Sequence, residues 1–302
     1  MKTTKFKFTT LLVLFYLFSG TIISQNKDID QNIVVNDSSY VKEKDSSYVL
    51  ADVSFINDAV FMGRKDSIAA PYLYPSIMYH NKSGLYAKGS FSYLTGSEEN
   101  RIDLFLLTAG FDFTSKKLEG DISVTKYFFN DDSYNVISEV EIDLTASFKY
   151  DFSIINLGII ASTYLNKGDD SDFFLSSEIS HDFMSSDNKF QFSPTAGIHL
   201  GSQNFYEQYY INNRFGNRKG GSGQGSGSQQ TAQINIQESE NFDIMAIEFS
   251  LPIWFTDNSF IISFIPSFVL PQNEPTLLIE DSVIKENLEN TFYWILGVGY
   301  KF

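Results

Sequence analysis

The chain ends in a segment that alternates with period two to its last residue. Phe292, Trp294, Leu296, Val298, Tyr300 and Phe302 fall on one face, and Tyr293, Ile295, Gly297, Gly299 and Lys301 on the other. Successive side chains of a strand point to opposite sides, so one side is large and aromatic while the other is small or charged. That contrast suits a strand with hydrocarbon outside and a polar lumen inside. It constrains the whole chain, because hydrocarbon tolerates no unpaired backbone group, and a chain that spans it must do so as apolar helices or as a closed barrel. Beyond residue 25 no apolar run approaches the ~20 residues a spanning helix needs, so spanning here means strands.

The same period begins near Ala51, in a chain rich in Phe, Tyr, Ile, Val, Thr and Ser. It predicts an all-β, up-and-down antiparallel barrel of about 12 strands, an even number as barrels of this kind require. The strands are expected at 51–62, 70–81, 84–95, 101–114, 118–129, 136–150, 152–166, 172–185, 190–204, 241–256, 259–271 and 290–302. Each reaches the ~9–11 residues of a tilted spanning strand. The links between them alternate in length. Those at 81–83, 115–117, 151, 186–189 and 257–258 are short, whereas the longest, 205–240 and 272–289, fall at the other parity. Barrels have short periplasmic turns and longer outer loops, so this parity places both chain ends in the periplasm. The 205–240 loop contains a Gly/Ser/Gln run at 220–230, whose composition buries no core.

The first 25 residues read as a secretory leader: Lys2, Lys5 and Lys7, then the apolar stretch Leu11–Phe18, then small residues at Ser19, Gly20 and Ser24. An anchoring helix is the alternative, but the apolar stretch is too short to span. Residues 26–50 are polar and aperiodic and read as a mobile periplasmic lead-in. Removing the leader's three lysines takes the net charge from −15 to −18. Such an excess argues against nucleic acid as a partner and favours a surface or lumen that attracts cations. The chain has no Cys, which excludes disulfides and thiolate metal sites.

A charge on the lipid face costs ~2–4 kcal/mol at mid-membrane, so mid-strand carboxylates are expected to face the lumen. The acidic lumen set is then Asp112, Glu119, Asp121, Glu139, Glu141, Asp143, Glu178, Asp182 and Glu248, against the bases Lys88, Lys149 and Lys301. Inward Tyr72, Tyr74, Tyr86, Tyr127, Tyr164 and Tyr293 would fill much of a twelve-stranded lumen, leaving a narrow path at most. Trp294, Tyr300, Phe302, Phe255 and Phe260, with Trp254 of uncertain facing, are expected at the membrane interfaces. Pro75, Pro194, Pro252 and Pro266 interrupt strand patterns and predict bulges or strand ends, since proline donates nothing to a ladder. Alternation alone also fits a soluble sandwich or a lipocalin-like barrel. The leader, the turn parity and the aromatic terminal strand favour the membrane.

Catalytic chemistry has thin support. His199 with Ser202 and Asn204 is the one short-range set with nucleophile and base, yet alternation puts 199 and 202 on opposite faces. Asp169, Asp170 and Asp172 in a loop suit a divalent cation no better than they suit a solvated acidic loop. No metal centre or cofactor is expected.

With its leader, its alternating strands over 51–302 and its terminal Tyr-Trp-Ile-Leu-Gly-Val-Gly-Tyr-Lys-Phe, the chain resembles single-chain outer-membrane β-barrel proteins of Gram-negative bacteria. The resemblance implies outer-membrane lipid as solvent, and the barrel assembly machinery as reader of the aromatic terminal strand. It does not imply a substrate. Three functions stand open: a narrow porin-like channel with an acidic, cation-favouring lumen for small solutes, a closed structural or surface-interaction barrel, and a barrel hydrolase resting on His199.

Overall fold

The computed structural model describes residues 46–66, 69–95, 100–168, 171–213, 234–237, 239–279 and 282–302. The expected leader, most of the lead-in, Asp169 and Asp170, and the Gly/Ser/Gln run lie outside the described residues. The strands are β1 (Tyr48–Ile56), β2 (Tyr72–His80), β3 (Leu85–Leu94), β4 (Arg101–Ser115), β5 (Leu118–Phe129), β6 (Val140–Asp151), β7 (Asn156–Asn166), β8 (Ser171–Ser180), β9 (Phe183–Met184), β10 (Phe190–Phe192), β11 (Thr195–Gly201), β12 (Ile234–Ile236), β13 (Asp243–Ser250), β14 (Ile253–Asp257), β15 (Phe260–Pro271), β16 (Thr276–Ile279), β17 (Ser282–Lys285) and β18 (Thr291–Lys301). Among the described residues a helix, α1 (Asn204–Asn213), follows β11.

Neighbouring strands pair antiparallel from β1 through β8, then β8 with β11, β11 with β13, β13 with β15, β15 with β18 and β18 with β1. The ring closes. Short β9, β10 and β14 extend the staves of β8, β11 and β13 toward the short-turn end, so the wall is a closed 12-strand barrel. Closure leaves no edge strand in the twelve-strand ring, so its ladders pair without recourse to water except where Pro75 interrupts the β2–β3 bridges. The outward faces carry Ile77, Leu107, Ile122, Leu144, Ile159, Ile198, Phe249, Ile262 and Val298, all exposed. An exposed apolar belt on this scale belongs to hydrocarbon.

Both described ends meet at the short-turn end, where the Phe302 amide donates to Val49 O at 2.8 Å. Strand β1 starts at Tyr48, three residues before the pattern suggested. Pro194 and Pro252 fall in strand breaks as expected, whereas Pro75 and Pro266 sit inside β2 and β15. The exceptions have a reason. Pro266 pairs with Trp294 on one side, and its other side faces the break at Pro252, where its carbonyl accepts from Leu251 N at 3.0 Å. Its missing donor is therefore not called for. Pro75 keeps its pairing with Val53, while the bridges from Tyr74 and Pro75 to β3 are absent.

The long-loop end is not made of loops alone. The stretch expected to be loop at 205–240 contains α1 and β12, and that at 272–289 contains the β16–β17 hairpin, to which β12 adds a third strand. Asp172, which the sequence leaves between a solvated acidic loop and a cation ligand, instead starts the helix. Its carboxylate accepts from Asn204 N at 2.9 Å and Phe205 N at 2.8 Å, two amides that a helix N-terminus leaves unpaired. Ser202 and Asn166 complete its shell at 2.6 and 2.9 Å.

Candidate functional site

The barrel interior divides by depth. At the long-loop end it is aromatic. Phe61, from the link after β1, contacts Tyr164, Phe174 and Phe205 with ring centroids 5.7, 5.4 and 5.1 Å away. Around it pack Tyr72, Tyr74, Leu94, Leu104, Leu106 and Tyr127 of the wall, Val136 and Ile137 of the β5–β6 link, and Phe205, Tyr206, Tyr209 and Tyr210 of α1. The described residues of this end therefore form a folded cap with its own apolar core.

Arg64 pins that cap. It is fully buried and gives five hydrogen bonds: Nη1 to Met62 O at 2.8 Å and Met245 O at 2.7 Å, Nη2 to Gln203 Oε1 at 3.0 Å, Gln272 O at 3.1 Å and Asn273 O at 2.9 Å. One guanidinium thus ties the β1–β2 link to β13, to the approach of α1 and to the chain beyond β15. Burial lowers its pKa to about 10, which leaves it charged at neutral pH. The turn that presents it uses Met62 and Gly63 at φ 46° and 79°, with Gly63 against Pro271, so a side chain at 63 meets both strain and contact. A single loop arginine carries no sequence pattern, and its role was invisible there. Helix α1 left one signal that sequence reasoning passed over: Phe205 and Tyr206 recur as Tyr209 and Tyr210 four residues on.

Below the cap the interior is polar. One cross-strand row runs Glu119, Lys149, Gly158, Glu178, Gly197, Glu248 and Val269 around the wall. Glycine between charged neighbours leaves their side chains room to lean. A second row runs Asp112, Asp121, Ser147, Ile160, Ser176, His199 and Ala246. Asp112 and Asp121 face each other directly, a destabilising pair unless compensated. His80 compensates in part, with Nε2 2.7 Å from Asp112 Oδ2. Asp143 accepts from Thr145 Oγ1 at 2.8 Å. Asp52, absent from the expected set, also points inward, bonded to Ser76.

The structure thus places Asp112, Glu119, Asp121, Asp143, Glu178 and Glu248 on the inner face. Asp182, between β8 and β9, accepts from Asn156 Nδ2 at 2.9 Å and Ser193 Oγ at 2.5 Å, with Lys149 at 3.9 Å. Lys88 is buried inside, and Lys301 lies 4.6 Å over the Tyr48 ring. Two assignments fail. Glu139 precedes β6 and lies beside Lys167 at 3.8 Å, so it belongs to the rim rather than the spanning wall. Glu141 is the extra residue of a bulge between Val140 and Ile142. The bulge turns Val140 into the cap core and sends Glu141 to the outer wall, where it meets Lys126 Nζ at 2.9 Å. A second bulge turns Met245 inward in the same way, against an alternation that puts it on the lipid side. A bulge adds one residue and reverses the parity beyond it, which period-two reading cannot foresee.

Phe255, Phe260, Tyr300 and Phe302 are exposed around the short-turn end. Trp294 packs outside between Phe55 and Phe264, with centroids 5.4 and 6.0 Å away, while Trp254 is buried inside opposite Gln191.

His199 does not meet Ser202, which bonds Asp172. Its Nδ1 instead lies 2.8 Å from Ser176 Oγ on β8, and its Nε2 lies 3.9 Å from Glu248 Oε2 on β13. Tyr293 OH donates to Glu248 Oε1 at 3.0 Å. Ser, His and Glu are thus in file. An acyl-transfer site also needs donors aimed at an oxyanion, and the amides around Ser176 and His199 are engaged in ladders on both sides.

No family model matches the chain, and no curated protein does. Solved structures do. The KdgM porin aligns at 8% identity and TM-score 0.45, covering 84% of this chain and 99% of that one. LpxR from Salmonella typhimurium aligns at 8% and 0.45, covering 83% and 99%. An outer-membrane channel from Pseudomonas putida F1 aligns at 11% and 0.45, covering 85% and 96%. These likenesses concern barrel architecture and carry nothing on solute or reaction. Closed ring, apolar belt and polar interior together make the chain a membrane-spanning β-barrel of twelve strands.

Proposed function

We propose that the protein is a gated outer-membrane channel for small cations and cationic solutes, shut in the conformation described. The observation that carries this reading is the acidic inner wall beneath the cap. Asp52, Asp121, Glu178 and Glu248 line the middle depth, with Asp143 at the base of the cap beside Tyr164 and Lys88 as the buried base among them. A scaffold selected for stability alone is better served by apolar filling, since buried carboxylates cost desolvation. In a watered lumen the same groups favour cations by their field. In this reading the interior Ser176 and His199 are wall, not catalytic residues. The short-turn end, carrying both described chain ends, faces the periplasm, and residues 1–25 act as the export leader. Outer-membrane lipid surrounds the belt, and the aromatic β18 is what the assembly machinery reads.

The folded cap favours a second reading, a permanently closed barrel. Planar-bilayer recording separates the two. Wild type should conduct rarely, and Arg64→Ala, which loosens the cap, should conduct often, with a reversal potential in a KCl gradient of the cation-selective sign. Silence from both proteins supports the closed barrel, and anion preference overturns the acidic-lumen reading.

A further inference from the structure

Gly197 stands between two glutamates. It lies directly opposite Glu178 on β8 and Glu248 on β13. A side chain built on it would meet Glu178 Cγ at 3.2 Å and His199 Nε2 at 3.5 Å. The glycine therefore leaves a narrow notch in the inner wall, bordered by the Glu178 stem and the edge of an imidazole, while the Glu178 carboxylate leans over Gly158 on the far side.

That imidazole edge is unsatisfied. His199 is fully buried, and its Nε2 has no hydrogen-bond partner. Glu248 Oε2, at 3.9 Å, is too far to be one. Buried polar atoms are nearly always paired, and an orphan points to a bound water or ion. Neither tautomer repairs the site. With the proton on Nδ1, shared with Ser176, the Nε2 lone pair faces a carboxylate, two acceptors with nothing between them. With the proton on Nε2, the donor stops short of its acceptor. A cation in the gap resolves both cases, and the flanking acids favour a cation over neutral water. Imidazole nitrogen with carboxylate oxygen suits zinc and its transition-metal neighbours, whereas magnesium and calcium prefer oxygen alone.

We propose that the Gly197 notch binds a divalent transition-metal cation of the zinc class, held by His199 Nε2 and Glu248, with Glu178 joining as its carboxylate turns inward. Tyr293, bonded to Glu248, orients that ligand. Among the described residues no three His, Asp or Glu groups yet stand at single-ion spacing, so loading moves a glutamate side chain. The site needs the interior geometry and not conduction, so its failure and that of the channel reading are separable.

The test is a zinc titration of the full-length barrel in detergent, against a chromophoric chelator and with magnesium in excess. Roughly one tight equivalent is expected, insensitive to magnesium, for a single site with a nitrogen ligand. His199→Ala and Gly197→Val should each weaken it about tenfold or more, and Glu248→Gln comparably. His80→Ala and His181→Ala should leave it unchanged. Glu248→Gln keeps a group that can accept from Tyr293, so it guards against loss through misfolding. Failure of wild type to bind zinc, equal competition by magnesium, or undiminished binding in His199→Ala overturns the proposal.

Discussion

The two depths of the barrel interior solve the same problem in opposite ways. The long-loop end fills its space mainly with aromatic rings and ties its polar groups to partners: Arg64 to neutral acceptors, and the buried Asp66, Asp103 and Asp172 to hydroxyl or amide donors. The middle depth lines its space with carboxylates, glycine gaps and a histidine left half satisfied. Each buried aromatic in the cap contributes roughly 1.5–3 kcal/mol by leaving water, whereas each buried carboxylate costs desolvation. Tightness is concentrated where the mouth closes, and polarity where a solute or ion would pass. The contrast is one of proportion: rings dominate the mouth, and carboxylates dominate the middle depth of the same wall.

The sharpest way to break that comparison is Arg64→Ala. It strands the acceptors Met62 O, Met245 O, Gln272 O and Asn273 O inside the cap. Each buried neutral acceptor left without a donor costs about 1–3 kcal/mol, which makes this the largest effect expected. Hydrogen exchange should accelerate over 57–66 and 204–213 while β4–β7 stay protected. Uniform loss of protection along the whole barrel would show that cap and wall are one cooperative unit.

The second test is Asp172→Ala, which uncaps α1. Losing two amide acceptors and the bonds from Ser202 and Asn166 should cost about 2 kcal/mol, the upper end for a helix cap. The readout is exchange in 204–213, with little change at Phe61. If Phe61 and its neighbours loosen equally, the helix rather than Arg64 is the keystone of the cap.

How much of this was legible in the sequence follows the same division. The wall was legible because period two survives wherever a strand is regular: β18 keeps it to the end, and β5 and β7 depart from it only at Lys126 and Ile160. It failed at Glu141 and Met245, where a single extra residue reverses the faces and no composition marks the spot. The cap was nearly illegible. Its contacts join Arg64 to Met245 and Gln272 and join Phe61 to Phe205, pairs far apart in the chain that local pattern does not connect. The interior cluster was half legible. Parity put Glu178, His199 and Glu248 inside, but which of them meet depends on register, and register chose Ser176 rather than Ser202.

The smallest effect concerns the outer wall, where the comparison with the interior is sharpest. Lys126 and Glu141 stand on the face that is otherwise Ile122, Val124, Phe128 and Leu144, and they pair at 2.9 Å with side chains 36% and 46% exposed. A lone lysine at mid-membrane costs ~2–4 kcal/mol, falling to about 0–1 near the interface. Lys126 is three residues from the long-loop end of β5 and lies over the Phe128 ring at 5.9 Å, which puts it toward the rim of the belt. A double-mutant cycle with Lys126→Met and Glu141→Gln, read by reversible urea unfolding in lipid vesicles, should give a coupling below about 1 kcal/mol, as for a watered pair. A coupling of several kcal/mol would place the bulge within hydrocarbon. The wall would then keep a desolvated ion pair on its lipid side, and polarity would no longer be confined to the interior.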